Sequence, residues 1–221
     1  MSLLNISHFT KENPHPELGF PVVECGTDEA GAGPLMGPVV AAAVIWPVEI
    51  DEETAKLKEY KLLRDSKKLS ERQRKCAKEF IERVALDYKI AFVSCERVDE
   101  INILNARFEA MKTAVEGLTK EPQYLLVDGN KFPKDFVGMP HTTVINGDNK
   151  YQSIAAASIL AKCARDDYVK ELAKQYPNYG WDTNKGYGTK KHYDAIEEYG
   201  ITPHHRKSFN LSKKKILDEE V

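Results

Sequence analysis

Four acids stand where carboxylates can do chemistry: Asp28 and Glu29 in Gly26-Thr-Asp-Glu-Ala-Gly-Ala-Gly33, Asp128 in Val127-Asp-Gly129, and Asp148 in Asn146-Gly-Asp148. Each follows a short apolar run that reads as a strand. Sites in open α/β sheets form outside the carboxyl ends of strands, which makes this shared position meaningful. Four ionised carboxylates gathered at low dielectric repel one another and require a cation. Oxygen donors suit Mg²⁺ or Mn²⁺, and two such ions about 4 Å apart clamp the attacking and leaving oxygens of phosphodiester hydrolysis. An Asp-Gly after a strand is more often a turn, so Asp128 and Asp148 gain weight only as members of the set. Asp28 and Glu29 are successive and would point to opposite faces of a strand. Both can serve one site only if the chain turns directly after them, as Gly31 and Gly33 allow.

The elements that must position these acids alternate along the chain. Strands are expected at Val22 to Thr27, Pro38 to Trp46, Tyr88 to Cys95, Gln123 to Val127 and His141 to Ile145. The unbroken Val and Ala content of the second suits a strand covered on both faces. Asp51 to Tyr60 reads as a short charged helix. Ser70 with Gln73 forms a capping box opening a helix to about Leu86. Apolar residues at 101, 104, 108, 111, 115 and 118 mark a packed helix from Ile101 to Leu118. A long helix is expected from Gln152 to Gln175, a glycine and aromatic loop from Pro177 to Gly188, and a helix from Thr189 to Tyr199. Residues 1–21, with Pro14 and Pro16, read as a loosely attached arm, 22–210 as the catalytic domain, and 211–221 as a basic tail, helical from Ser212. The class is α/β.

With 221 residues, 42% hydrophobic and 30% charged, the chain can bury a substantial core. No apolar run approaches the roughly 20 residues of a bilayer span, and residues 1–16 lack the basic start and apolar core of a secretory signal. A cytoplasmic protein with no membrane partner is expected. Cys25, Cys76, Cys95 and Cys163 form no CxxC pair and are expected to be buried reduced thiols. The net charge of −2 argues against binding a polyanion, but the charge is segregated. Lys61 to Lys78 holds eight basic residues against Asp65 and Glu71. Lys185 to Lys215 holds eight more against Asp194, Glu197 and Glu198. Such faces are solvated helix surface or a phosphate-binding face.

The stretch Gly26-Thr-Asp-Glu-Ala-Gly-Ala-Gly-Pro-Leu-Met-Gly37 resembles the first motif of type 2 ribonucleases H, specifically ribonuclease HII. Further similar segments are Asp65-Ser-Lys-Lys-Leu69, Leu126-Val-Asp-Gly129, Ala155-Ala-Ala-Ser-Ile-Leu-Ala-Lys162 with Arg165-Asp166, Lys185-Gly-Tyr-Gly-Thr189 and His205-Arg-Lys-Ser-Phe209, spanning Glu24 to Phe209. The resemblance implies a ribonuclease H-like fold, a central mixed five-stranded sheet flanked by helices with a C-terminal helical extension. It implies Asp28, Glu29, Asp128 and Asp148 as catalytic metal ligands. The family's Lys-Gly-Asp segment is Asn146-Gly147-Asp148 here, which leaves Asp166 as the alternative fourth ligand. It also implies that Gly31, Ala32 and Gly33 read the ribose 2′-hydroxyl through their backbone, that Tyr187 stacks on the next sugar, and that Ser66, Lys67 and Lys162 serve phosphate binding or site positioning.

By that resemblance the chain is expected to be a monomeric endonuclease. It would use two Mg²⁺ or Mn²⁺ ions to cut the RNA strand of RNA/DNA hybrids and duplex DNA 5′ of embedded ribonucleotides, leaving 5′-phosphate and 3′-hydroxyl ends. A different ribonuclease H-like nuclease, or a hybrid-binding protein without catalysis, stays open, since fold alone does not fix substrate. Ala32 replaces the family arginine, so one forked phosphate contact is lost and weaker substrate binding is expected.

Overall fold

A computed structural model describes residues 4–64, 66–133 and 138–212. Five strands form one sheet in the order β3-β2-β1-β4-β5, with β1 Glu24–Ala30, β2 Val39–Ile45, β3 Asp87–Val93, β4 Tyr124–Asp128 and β5 His141–Val144. β1, β2 and β3 pair antiparallel, whereas β4 and β5 run parallel to β1, so the sheet is mixed. The helices are α1 Glu52–Lys56, α2 Glu71–Val84, α3 Cys95–Glu116, α4 Gln152–Gln175, α5 Trp181–Asn184 and α6 Lys190–Tyr199.

The two faces of β2 show how the layers assemble. Ala41, Ala43 and Ile45 pack with Val98, Ala106, Ala110 and Met111 of α3, while Ala42 and Val44 pack with Phe80 and Ile81 of α2 and Ala156, Ile159 and Leu160 of α4. Alternate residues of a strand face opposite ways, so an all-apolar strand fits a sheet sandwiched between helices. α4 lies directly on β1: a Cβ at Gly26 would collide with the Ser153 main chain. The glycine is what lets the helix come so close.

Several expectations are adjusted by these contacts. β1 does not stop at Thr27 but continues through Ala30, pairing Asp28 with Ala42 and Glu29 with Ala41. The capping box of Ser70 and Gln73 forms as read. α3 starts earlier than its apolar stripe, at Cys95, and is broken at Asn102, whose φ is 65° and whose side chain accepts from the Asn105 amide to start the helix again. The 177–188 stretch contains α5. The N-terminal segment is not a loose arm: Glu24 accepts hydrogen bonds from the Ser7 hydroxyl and the His8 and Phe9 amides at 2.7–2.8 Å, and Phe9 is buried. Cys25, Cys95 and Cys163 are buried free thiols, whereas Cys76 is exposed on α2. The expected helix of the basic tail, beyond Ser212, lies outside the described residues. Among the described residues no helix is long and apolar enough to cross a membrane.

Candidate active site

Asp28 and Asp128 sit at the carboxyl ends of the neighbouring parallel strands β1 and β4, whose register runs up to Thr27 beside Val127. Strands so paired lie about 4.8 Å apart, so these two carboxylates face the same ground on the α4 side. Glu29, next along β1, leaves on the α3 side, where Arg107 Nε stands 2.5 Å from its Oε1. The strand alternation persists through both acids and the chain bends only after Ala30, at Gly31 with φ +96°, so each acid is held from a different helix layer beside one turn.

The acids act on one another all the same. Burial pushes the Asp28 carboxyl well above the usual carboxylate range, with Glu29 and Asp128 adding repulsion and a hydrogen bond with the Ser158 hydroxyl opposing. Burial also raises Glu29, against the attraction of Arg107, and Asp128 raises it further. The backbone fixes the geometry: Asp28 Oδ1 accepts from the Glu29 amide at 2.7 Å, and Asp128 Oδ1 accepts from the Gly147 amide at 2.7 Å. That second bond ties Asp128 to the short 3₁₀ turn Gly147–Asn149, which carries the buried Asp148. Asp148 Oδ1 accepts from Asn149 Nδ2 at 2.9 Å.

Asp166, the alternative fourth ligand, has a different environment. Its carboxylate is paired with Lys162 at 2.7 Å and lies 3.7 Å from Arg74. Eight residues of α4 separate it from Ser158, about 12 Å at helical rise. It lines a cleft of about 590 Å³ between α2 and α4 that holds none of the other four acids.

Among the groups read as substrate contacts, Ser66 is buried and its hydroxyl is 3.0 Å from that of Ser158. Ser158 is in turn bonded to Asp28, so the Ser66 hydroxyl stands one hydroxyl removed from the acid. Lys67, beside it, is exposed; Lys162 is half-buried and engaged by Asp166. Arg74 spends its guanidinium on the Leu69 and Ser66 carbonyls, so part of the basic run shapes its own loop. Gly31 has φ +96°, and a Cβ there would strike both the Arg165 side chain and the Pro38 carbonyl. Gly33 is exposed and a Cβ on it would lie 3.5 Å from the Tyr187 ring, so the glycine segment and the tyrosine form one surface. Tyr187 is 46% exposed, which leaves its ring open to a ligand.

Arg107, Ser158 and the buried Arg165 and Arg206 were not assigned site roles from the sequence. Arg107 lies in what the stripe marks as packing helix. Arg165 and Arg206 could be noticed only as members of similar segments.

The carboxylates suit a hard cation. Glu29 Oε2 is buried with no hydrogen-bond partner among the described residues, an acceptor of the kind a divalent ion satisfies. Among the described residues no three acidic, histidine or cysteine side chains already stand at ion-caging separation. An ion bound there would compete with Arg107 for Glu29.

Residues 25–212 match the family model described as Ribonuclease HII. A ribonuclease HII of Phocaeicola vulgatus is 55% identical over 196 residues, covering 89% of this chain and 93% of that one. One of Bacteroides thetaiotaomicron is 54% identical, covering 89% and 94%. The crystal structure of the ribonuclease H2 of Pyrococcus horikoshii superposes with a TM-score of 0.72 at 26% identity, covering 89% of this chain and 97% of that one.

Proposed function

The chain belongs to the ribonuclease HII family and is a ribonuclease H, and from that premise we propose that it cuts the RNA strand of RNA/DNA hybrids and duplex DNA 5′ of an embedded ribonucleotide. Asp28, Glu29, Asp128 and Asp148 would hold two Mg²⁺ or Mn²⁺ ions. The observation that carries this reading is the placement of Asp28 and Asp128 on the neighbouring parallel strands β1 and β4, with Asp128 bonded to the turn that carries Asp148. Such a concentration of negative charge is unfavourable unless it serves a cation.

When bound, the ions supply the positive charge that activates water and stabilises the departing 3′-oxygen. The chain's own groups do the rest. Asp28 is kept in place by the Glu29 amide and by Ser158, itself backed by Ser66. Asp128 is locked by the Gly147 amide. Main-chain groups of Gly31, Ala32 and Gly33 meet the 2′-hydroxyl that distinguishes RNA from DNA, and the Tyr187 ring beside them packs on the following sugar. Lys67 and Lys162 meet phosphate, Lys162 held in place by its pairing with Asp166. The protein acts as a monomer.

One assay tests the reading. A duplex with a single ribonucleotide, a full hybrid and plain DNA are each incubated with Mg²⁺, Mn²⁺ or EDTA. Cleavage of the first two only with metal is expected, with 5′-phosphate products. Cutting of plain DNA, or binding without cleavage under every condition, overturns it.

A further inference from the structure

Two buried guanidinia brace the glycine segment: Arg165 donates to the Met36, Pro38 and Lys185 carbonyls, and Arg206 takes the carbonyls nearer its start. Arg206, fully buried, donates from Nη2 to the Gly31 carbonyl at 2.7 Å, from Nη1 to the carbonyls of Pro34 at 2.9 Å and Ala32 at 3.2 Å, and from Nε to that of Gly37 at 3.0 Å. Its own amide donates to the Leu35 carbonyl at 2.9 Å, and the Gly37 amide returns a bond to the His204 carbonyl. The Arg206 guanidinium also lies 5.1 Å from the centre of the Phe209 ring. A planar fork can satisfy several carbonyls at fixed angles; an ammonium cannot.

The direction of these carbonyls decides where the amides point. In a trans peptide the C=O and the next N–H are antiparallel. Drawing the Gly31 and Ala32 carbonyls inward onto Arg206 turns the Ala32 and Gly33 amides outward. Neither amide is bonded among the described residues. They emerge on the side where Tyr187 lies against Gly33.

The neighbouring residue fixes the tyrosine. The Thr202 amide donates to His205 Nδ1 at 2.9 Å, so His205 carries its proton on Nε2 and gives it to His192 Nε2 at 3.1 Å, which also accepts from Trp181 Nε1 at 2.9 Å. His192 is left with its proton on Nδ1, which it donates to the Tyr187 carbonyl at 3.0 Å. Both histidines are buried.

We propose that Arg206 is a positioning residue for ribose recognition, turning the Ala32 and Gly33 amides outward to the 2′-hydroxyl while His205, through His192, holds Tyr187 beside them. This rests on the reading of the glycine segment given under Proposed function.

The test uses an Asp128→Asn background, in which turnover is removed and binding can be read with Mg²⁺ by fluorescence anisotropy on a duplex with one ribonucleotide and on the same duplex in DNA alone. If the otherwise unchanged background shows no preference for the ribonucleotide, the reading of the segment fails. With that preference present, adding Arg206→Lys is expected to weaken binding of the ribonucleotide duplex about three- to tenfold, the worth of a hydrogen bond, and to leave the DNA duplex unaffected. A folded Arg206→Lys protein that keeps the full preference overturns the proposal, as does equal weakening of both duplexes. Should Arg206→Lys not fold, Phe209→Leu, which removes the ring against the guanidinium and keeps an aliphatic side chain on the core, decides: a reduced preference supports the proposal and an unchanged one overturns it.

Discussion

Arg107 on α3 and Glu29 on β1 form an ion pair, Nε to Oε1 at 2.5 Å, in which the carboxylate side chain is 9% exposed and the arginine 31%. The guanidinium attracts the Glu29 carboxylate, which burial and Asp128 disfavour. Removing it as Arg107→Met leaves a buried carboxylate without its partner. Fully buried pairs lose 3–5 kcal/mol when broken, and the partial exposure of Arg107 reduces this to about 1–2 kcal/mol, or about 2–8 °C in Tm. The drop is expected in EDTA, with most of it recovered by Mg²⁺. Melting curves of the variant that are identical with and without Mg²⁺ would rule this out.

Asp28→Asn separates stability from activity. Asp28 is held well above the ordinary carboxylate range by burial and by two acidic neighbours. Its folded pKa exceeds its unfolded one, so its ionisation takes stability away as pH rises. Asparagine can still accept from the Glu29 amide but carries no charge. We expect the metal-free variant to melt higher than the parent at neutral pH, while hybrid cleavage falls by about 10³-fold or more. Calorimetry and a cleavage assay on the same preparation check both halves.

The paired histidines predict acid sensitivity of opposite sign. Burial, with His192 and His204 nearby, lowers His205 from its ordinary 6.5 to about 4, and burial lowers His192 as well. The unfolded chain therefore binds more protons than the folded one across this range. Stability is full above about pH 6.5 and is lost as pH falls toward about 4, by roughly 3 kcal/mol from His205 alone. Urea unfolding from pH 7 to 4 reads the slope. Replacing His205 with Gln should flatten it, and an equally steep slope in that variant would assign the loss to other groups.

Ala32→Arg introduces the arginine that the motif resemblance implies at this position. Position 32 is half-buried beside the exposed Gly33, and its carbonyl is already held by Arg206. A new side chain there can reach phosphate without disturbing the backbone. A gain of about 1 kcal/mol, roughly fivefold in kcat/KM, is expected, with cleavage persisting at higher salt. No change in either quantity would show that this segment makes no phosphate contact through its side chain.

Much of the architecture was legible from local pattern. The Ala-rich run after Tyr151 corresponds to α4 at both ends, since its small residues suit helix and allow it to lie on β1. The capping box at Ser70 was readable because it is a contact three residues apart. The end of β1 was misjudged because acids and glycines read as a turn, whereas pairing with Ala41 and Ala42 keeps the strand going to Ala30. The histidine relay was invisible because Trp181, His192 and His205, 11 and 13 positions apart, follow no helix or strand period and meet only when α5, α6 and the segment after them fold together.

By itself, the order of residues determined the α/β class, which strands the acids belong to or follow, and the glycine segment, because each is written in neighbours a few positions apart. Tertiary structure alone decided that Arg107 serves Glu29, that Ser66 serves Ser158, and that Arg206 faces four carbonyls. Those pairings join residues tens to more than a hundred positions apart. Burial selects them, since a charge or hydroxyl enclosed by the core must find whichever partner the packing of the layers brings within reach.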